Sequence, residues 1–208
     1  MPEEDKPTDW FEPIYRDADD EGSGVPWANM GTHPGFEEWL ERNALAGDGQ
    51  EALVVGCGMG DDAIELESHG FSVTAFDVSE SAIDHCRRRF PDTTVDFRVA
   101  DLFAENDDLR RRFQFVLEIY TIQALPPKYE STVIPRIADF VAPGGRLLVV
   151  AVVSETERNF DDGPPWILTP DHVAAFEAEG LEVADHFIRG EQSKQGNDVW
   201  VTTFRRPS

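Results

Sequence analysis

The chain has 208 residues, 40% of them hydrophobic, which suits one compact α/β domain with a short additional arm. Its 41 acidic residues outnumber the 18 lysines and arginines, and the resulting formal net charge of −23 would repel nucleic acid and anionic lipid. We therefore expect neither nucleic acid nor a membrane as a partner, and two cysteines predict a reducing, cytoplasmic location without disulfides.

The first 50 residues are interpreted as an arm or lid. They are rich in Asp, Glu, Gly and Pro, yet they carry several aromatic side chains. Residues 34–43 are predicted to form a helix at the end of the arm, because Phe36, Trp39 and Leu40 share one face at helical spacing.

From Glu51 onward, strands and helices alternate. The first predicted strand, residues 52–55, is a short apolar run that ends in glycines, as is typical of a buried parallel strand. Ser79 is placed to cap the second helix, and Pro135 is expected to kink or shorten the third. The other predicted strands are residues 71–76, 93–99, 113–117 and 146–153, and the predicted helices are residues 61–69, 79–90 and 128–141.

The tail interrupts this alternation. A predicted helix near residues 170–178 precedes two strand-like runs, 181–184 and 199–204, joined by a polar turn at residues 190–197. Two strands without an intervening helix predict an antiparallel hairpin at the edge of a parallel sheet. The predicted fold is a three-layer, Rossmann-like α/β sandwich with a mostly parallel seven-stranded sheet, in which residues 51–208 form the ligand-binding domain.

A glycine-rich segment, Val54-Val55-Gly56-Cys57-Gly58-Met59-Gly60, lies where the first strand becomes a helix. Glycines let the backbone approach a ligand closely, and the helix N-terminus supplies free N–H groups. A tight turn without a ligand is the alternative. The dinucleotide pattern G-x-G-x-x-G would need glycine in place of Asp61, whose carboxylate would face a pyrophosphate, and this disfavours NAD.

Acidic residues follow the next two strands. Asp77, with Val78 beside it, is placed to accept hydrogen bonds from both hydroxyls of a ribose, although it could instead cap a helix. Asp101 could bind an adenine amino group while Leu102 or Phe103 covers the ring; an ordinary turn at the strand end is the alternative. Because the carboxyl ends of parallel strands meet at one edge of a sheet, these residues and the glycines are predicted to form one site.

In combination, these motifs resemble those of the class I S-adenosylmethionine (SAM)-dependent methyltransferases. The resemblance covers residues 51–204 and implies SAM as the cofactor, S-adenosylhomocysteine as its product and a small molecule as the methyl acceptor. The departure is Val54, where many members carry an acid, and it leaves the contacts of the methionine end open. The matching residues are Gly56, Cys57, Gly58 and Gly60 in the first motif, Asp77 and Asp101 as the cofactor-binding acids, and residues 141–146 in the "LKPGG" turn.

A second segment, residues 113–127, resembles "FDLIYDxTFLCALPP" of the thiopurine and halide/thiol methyltransferases, with Glu118 in place of the Asp. Pro26-Trp27 is similar to the "PW" of the same branch, which implies a thiol among the acceptors to consider. The end of the fourth strand faces the transferred methyl group in the family, so Glu118 and Tyr120 are the candidate catalytic residues, and Glu118 is also a candidate cofactor contact.

Aromatic residues of the arm are candidate cofactor contacts as well. Trp10 or Trp27 could cover the sulfonium of SAM through a cation–π contact of roughly 0.5–2 kcal/mol; attachment of the arm to the core is the alternative. Trp166 could line an acceptor pocket. His33 could act as a base, although a solvated histidine is the simpler interpretation.

No metal is expected, because the histidines and cysteines lack metal-ligand spacing, and Asp61-Asp62 and Asp161-Asp162 are interpreted as surface acids. The sequence thus predicts a methyltransferase, with a non-catalytic SAM-binding protein and an NAD(P)-dependent Rossmann oxidoreductase as alternatives. A monomer and a homodimer both remain open. The acidic composition also raises the hypothesis of a halophilic source, because salt screens self-repulsion; an acidic protein from an ordinary cell is the alternative.

Overall fold

The computed structural model describes residues 6–155, 163–190 and 198–208. Seven strands form one sheet in the order β3-β2-β1-β4-β5-β7-β6, in which β7 is antiparallel to both neighbours and the pairs from β3 to β5 are parallel. The strands are β1 (Glu51–Val55), β2 (Ser72–Asp77), β3 (Asp96–Val99), β4 (Phe113–Ile119), β5 (Val141–Val153), β6 (Glu182–Arg189) and β7 (Asp198–Arg205). The helices are α1 (Phe11–Arg16), α2 (Pro34–Arg42), α3 (Asp61–Ser68), α4 (Glu80–Arg89), α5 (Glu130–Phe140) and α6 (Asp171–Ala178).

Helices cover both faces of the sheet, which gives three layers. Successive residues of β1 point in opposite directions: Leu53 packs in the apolar cluster that contains α5 and α6, while Val54 packs with α2, α3 and α4. A central strand buried on both faces requires an apolar run, as the sequence has at this position. The predicted sandwich with its antiparallel hairpin is confirmed.

The boundaries differ from the predictions in five places. One is β5, which begins at Val141 and so includes the residues 141–146 that we predicted as a turn. Pro135 lies inside α5, which begins at Glu130 instead of the predicted residue 128, after a 3₁₀ turn at Pro127–Tyr129. Strand β3 is shorter than predicted, while β6 is longer. Helix α1 lies in a segment that we predicted as irregular arm. Most of the predicted polar turn, residues 191–197, lies outside the described residues.

Helix α1 lies across the N-terminus of α4. The Glu12 carboxylate accepts hydrogen bonds from the hydroxyls of Ser79 and Ser81, each at 2.6 Å. Farther along, Asp20 contacts the imidazole of His85 and the guanidinium of Arg88. These contacts fix the arm over the end of β2.

Helix α2 is part of the core. The ring of Trp39 is buried and its indole N–H donates to the Thr203 hydroxyl of β7 at 2.8 Å. None of the helices in the described ranges combines the length and the apolar character needed to cross a membrane.

Candidate functional site

A cavity of about 700 Å³ lies at the carboxyl ends of the parallel strands, a size typical of small-molecule sites. Its floor includes Gly56, Asp77 and Ala100, which follow or end β1, β2 and β3, and also Tyr120, which follows β4. A smaller pocket of about 90 Å³ adjoins it beside the glycine-rich loop and is lined by Cys57, Gly58 and Gly60 among others. The predicted meeting of three strand ends at one edge therefore produces a real concavity.

The glycines of the loop are required by backbone geometry and by close packing. Gly56 and Gly58 have φ angles of +63° and +52°, a left-handed conformation that strains other residues. A Cβ atom on Gly56 would overlap the Thr121 side chain, and one on Gly58 would lie 2.9 Å from the Tyr15 hydroxyl oxygen. The loop thus passes beneath side chains from two other segments.

Asp77 is held rigidly at the cavity wall. One of its carboxylate oxygens accepts the Gly58 N–H and the other accepts the Ser79 N–H, both at 3.0 Å. Burial raises the pKa of Asp77, although these backbone hydrogen bonds oppose the shift. Each oxygen retains capacity to accept another hydrogen bond, so the side chain can receive ligand hydroxyls. Val78 also lines the cavity, next to Asp77.

The turn after β3 presents apolar side chains. Leu102 and Phe103 line the cavity, as expected for residues that cover a flat ring. Asp101, predicted to contact the adenine, is not part of the lining. Its carboxylate instead accepts the Phe103 N–H at 2.8 Å and closes the turn that positions those two side chains.

The two candidate catalytic residues occupy different positions. Tyr120 lines both cavities and has a φ of +62°. Glu118, expected beside the transferred methyl group and the cofactor, is absent from both linings and fully buried. One of its oxygens accepts the Ile122 N–H at 3.0 Å, so the carboxyl group turns toward the 3₁₀ turn Ile122–Ala124.

Burial raises the pKa of Glu118 to about 7, against the effect of that backbone hydrogen bond. Its second oxygen has no hydrogen-bond partner among the described residues. A buried carboxylate with an unsatisfied oxygen is costly, so the protonated form is favoured up to about pH 7.

His33 is buried rather than solvated, which corrects the simpler interpretation. Its ring packs edge-to-face against Tyr120 with centroids 4.8 Å apart, and it lines both cavities. Burial lowers the pKa of His33 to about 4, and the positive charge of Arg189 adds to the effect. Because Nδ1 accepts the Gly35 N–H at 3.1 Å, the proton of the neutral ring is on Nε2.

The interpretation of Asp61 and Asp62 as surface acids is wrong. Asp61 forms a 2.8 Å ion pair with Arg89, and Asp62 lines the smaller pocket and accepts the His33 N–H at 2.7 Å. Burial raises the pKa of Asp62 to about 7, and the charges of Asp61 and Glu65 add to it. Asp161 and Asp162 lie outside the described residues.

Aromatic side chains of the arm form the roof of the larger cavity. Trp10 stacks on Phe11 with centroids 4.0 Å apart and meets Trp27 edge-to-face at 5.7 Å; all three line the cavity. The Trp10 indole N–H is buried and lacks a partner among the described residues, so it can donate to a ligand.

No motif or spacing in the sequence predicts the residues at the far end of the cavity. Arg189 and Val199, which pair across β6 and β7, line it together with Pro164 and Pro165. Trp166, the predicted lining residue, is not among them. Within the ranges that the structure covers, no group of three or more His, Cys, Asp or Glu is arranged to hold a metal ion.

The chain is similar to known proteins in sequence and in fold. Residues 52–145 match the family model of a methyltransferase domain. Over 135 residues the chain is 30% identical to a carboxy-S-adenosyl-L-methionine synthase of Shewanella sp. (strain W3-18-1). That match covers 61% of this chain and 52% of the relative, so it spans about half of the relative's length.

Two solved structures resemble nearly the whole chain. One is from work on the conversion of a disulfide bond into a thioacetal group during echinomycin biosynthesis, with a TM-score of 0.76, 20% identity, and 97% and 92% of the two chains covered. The other is the N-methyltransferase NodS from Bradyrhizobium japonicum WM9 in complex with S-adenosyl-L-homocysteine, with a TM-score of 0.73, 19% identity, and 98% and 100% covered. At sequence identities this low, the structural similarity establishes the fold alone.

Proposed function

We propose that the chain is a class I SAM-dependent methyltransferase that binds SAM and transfers its methyl group to a small molecule, because residues 52–145 match the family model of a methyltransferase domain. The observation that carries this proposal is the placement of Asp77. Its carboxylate is fixed by the backbone of the glycine-rich loop and of the α4 cap, at the wall of a cavity that Leu102 and Phe103 also line.

The residues present fit the cofactor. Asp77 would receive the ribose hydroxyls, and Leu102 and Phe103 would cover the adenine. The methionine end would lie along Gly56 and the smaller pocket, where Asp62 supplies the acid that position 54 lacks. When bound, SAM would supply a methyl group on a positively charged sulfur; the acceptor would bond to the methyl carbon, and S-adenosylhomocysteine would leave as the neutral thioether.

The chain's own residues would orient the acceptor and exclude water. Burial raises the pKa of Tyr120 to about 12, so its hydroxyl stays protonated, and His33 stays neutral above a pKa of about 4. Both therefore serve as hydrogen-bond donors at neutral pH, and neither is suited to remove a proton. This favours an acceptor that needs no strong base, such as a thiol or a neutral amine.

The extent of the cavity supports an enzyme over a protein that only binds SAM. Beyond Tyr120 the cavity continues to Val152 of β5 and to Arg189 and Val199 of the hairpin. A protein that only holds the cofactor has no need of this second half. The roof of Trp10, Phe11 and Trp27 would keep bulk water from the reacting atoms.

Calorimetric titration of the protein with SAM, S-adenosylhomocysteine and NADH tests the proposal. We expect micromolar binding of the first two and no binding of NADH, followed by transfer of label from methyl-labelled SAM in a screen of thiols and amines. Binding of NADH alone would place the chain with the oxidoreductases. Cofactor binding without transfer to any acceptor class would favour the non-catalytic alternative.

A further inference from the structure

The cavity has one positive end. Arg189 is the last residue of β6 and pairs with Val199 of β7, at the opposite side of the sheet from β2 and Asp77. Among the described residues that line the cavity, Arg189 is the only lysine or arginine and Asp77 the only acid. A chain with a net charge of −23 thus places a cation where the second substrate would lie.

Among the described residues, the guanidinium of Arg189 is held by one carboxylate that it shares with a second arginine. Its Nε contacts a Glu38 carboxylate oxygen at 3.0 Å, and its side chain is 17% exposed. The other oxygen of Glu38 is bound by Arg42, which stacks over the ring of Phe187 and does not line the cavity. One carboxylate between two guanidinium groups leaves the cluster with a net positive charge, and an arginine has N–H groups beyond Nε to offer a ligand.

The surroundings of Arg189 define the rest of the ligand. The positive charge of Arg189 lowers the pKa of both His33 and Tyr120, which lie near it. Each of these two side chains presents a hydrogen-bond donor. The walls at this end are apolar: Val152, Val199, Pro164 and Pro165. Such a surface complements an anion attached to an apolar body. A single cation with neutral neighbours suits the single charge of a carboxylate better than the double charge of a phosphate.

We propose that the methyl acceptor is an apolar small molecule bearing a carboxylate, and that Arg189 binds this carboxylate. This inference rests on the proposed function, because it assigns the other half of the cavity to the cofactor. Arg189 would act as a specificity residue that sets which acceptors are bound and how they lie.

The test uses a matched pair of probes, 2-naphthoate and its uncharged amide, titrated calorimetrically into protein saturated with S-adenosylhomocysteine. We expect naphthoate to bind at least about tenfold more tightly than the amide, as a charge-assisted hydrogen-bonded pair implies. Arg189→Gln should remove this preference and leave the affinity for S-adenosylhomocysteine unchanged. Arg42→Gln, which changes the other arginine on Glu38, should keep the preference.

The outcomes separate the two proposals. If S-adenosylhomocysteine does not bind, the proposed function fails. If it binds and the two probes bind equally or not at all, only the acceptor assignment fails. If Arg189→Gln instead weakens the binding of S-adenosylhomocysteine and keeps the preference for naphthoate over the amide, Arg189 binds the cofactor's own carboxylate. The inference is then overturned. Should the glutamine variant fail to fold, Arg189→Met removes the charge and keeps an unbranched apolar stem, and an undiminished preference for naphthoate would overturn the inference.

Discussion

The indole N–H of Trp27 donates a 2.8 Å hydrogen bond to the phenol oxygen of Tyr15. Tyr15 lies on α1, above Gly58, so this bond joins two parts of the arm directly over the glycine-rich loop. Burial raises the pKa of Tyr15 well above its usual value, and the nearby Asp77 carboxylate adds to the shift, so the phenol stays protonated. The bond thereby connects the two segments of the arm that cover the cavity.

Tyr15→Phe is expected to loosen the roof. The variant leaves the Trp27 N–H without its acceptor, a loss of about 1–3 kcal/mol, and we expect S-adenosylhomocysteine to dissociate faster, as measured by stopped-flow tryptophan fluorescence. Tyr15→Phe/Trp27→Phe removes both partners and should recover part of the loss, which makes it the matched control. An unchanged dissociation rate in the single variant would show that this bond does not hold the roof.

Asp77→Asn is expected to lower the affinity for S-adenosylhomocysteine by about tenfold or more. An amide cannot accept both the Gly58 and Ser79 N–H groups, and it also loses charge-assisted bonds to ribose hydroxyls. Calorimetry provides the measurement. Asp101→Asn is the control, because Asp101 lies outside the cavity lining. The affinity of this variant for S-adenosylhomocysteine should change little. Equal losses in the two variants would contradict the distinction that we draw between these acids.

Gly56→Ala is expected to abolish cofactor binding and to destabilise the fold. Left-handed backbone strain costs about 1–3 kcal/mol, and the new Cβ would also displace Thr121. Gly49→Ala is a matched control, because its φ of +77° is similar and nothing lies near its Cβ. Both variants carry the backbone strain, but only Gly56→Ala adds the overlap with Thr121. Comparing their stability by chemical denaturation and their cofactor affinity by calorimetry therefore separates the two effects. Equal stability of the two would refute a role for close packing at Gly56.

Glu118→Gln should change how stability depends on pH. The folded-state pKa of about 7 lies above the ordinary value of 4.5, so Glu118 favours folding fully below pH 4.5, and this contribution declines until about pH 7. Relative to the native protein, the glutamine variant should gain up to about 3 kcal/mol between pH 4.5 and pH 7, as measured by urea unfolding. The exposed Glu182→Gln serves as the control. If the difference in free energy of unfolding between Glu118→Gln and the native protein did not change with pH, Glu118 would not be protonated in the folded state as we infer.

Salt should stabilise the protein. The excess of 41 acidic over 18 basic residues produces self-repulsion that ions screen, so we expect the thermal midpoint to rise with KCl concentration. Repeating the series at pH 5, nearer the isoelectric point of about 4.4, should give a shallower rise. Indifference to salt at pH 7 would contradict the halophilic hypothesis.

The sheet was predictable because local patterns agree with the fold. Three sequence features predict structure from neighbouring residues alone. They are the apolar run of β1, the capping residue Ser79 and the two strand-like runs at 181–184 and 199–204 with no helical pattern between them. The position of Asp77 at the cavity was predictable for the same reason, since a residue that ends a parallel strand lies at the ligand-binding edge.

Other features depend on contacts between distant segments. Asp62 begins a helix and is consistent with a surface acid until His33, 29 residues earlier in the chain, packs onto it. Glu118 continues a strand that leads to the cavity, but the N–H of Ile122 draws its carboxyl group elsewhere. Arg189 carries no motif, and only the pairing of β6 with β7 brings it to the cavity. Long-range packing of this kind leaves no periodic signal in the sequence.

The placement of β7 between β5 and β6 has a consequence for the order in which the site is assembled. The proposed ribose side, from Gly56 through Asp77 to Phe103, belongs to segments that leave the ribosome early. Val199 and Arg189 take their places only after β7 has paired with β5 across some 50 residues. A growing chain would therefore acquire its cofactor wall before its acceptor wall. We expect the nascent protein to pass through a stage in which nucleoside recognition exists and substrate selection does not.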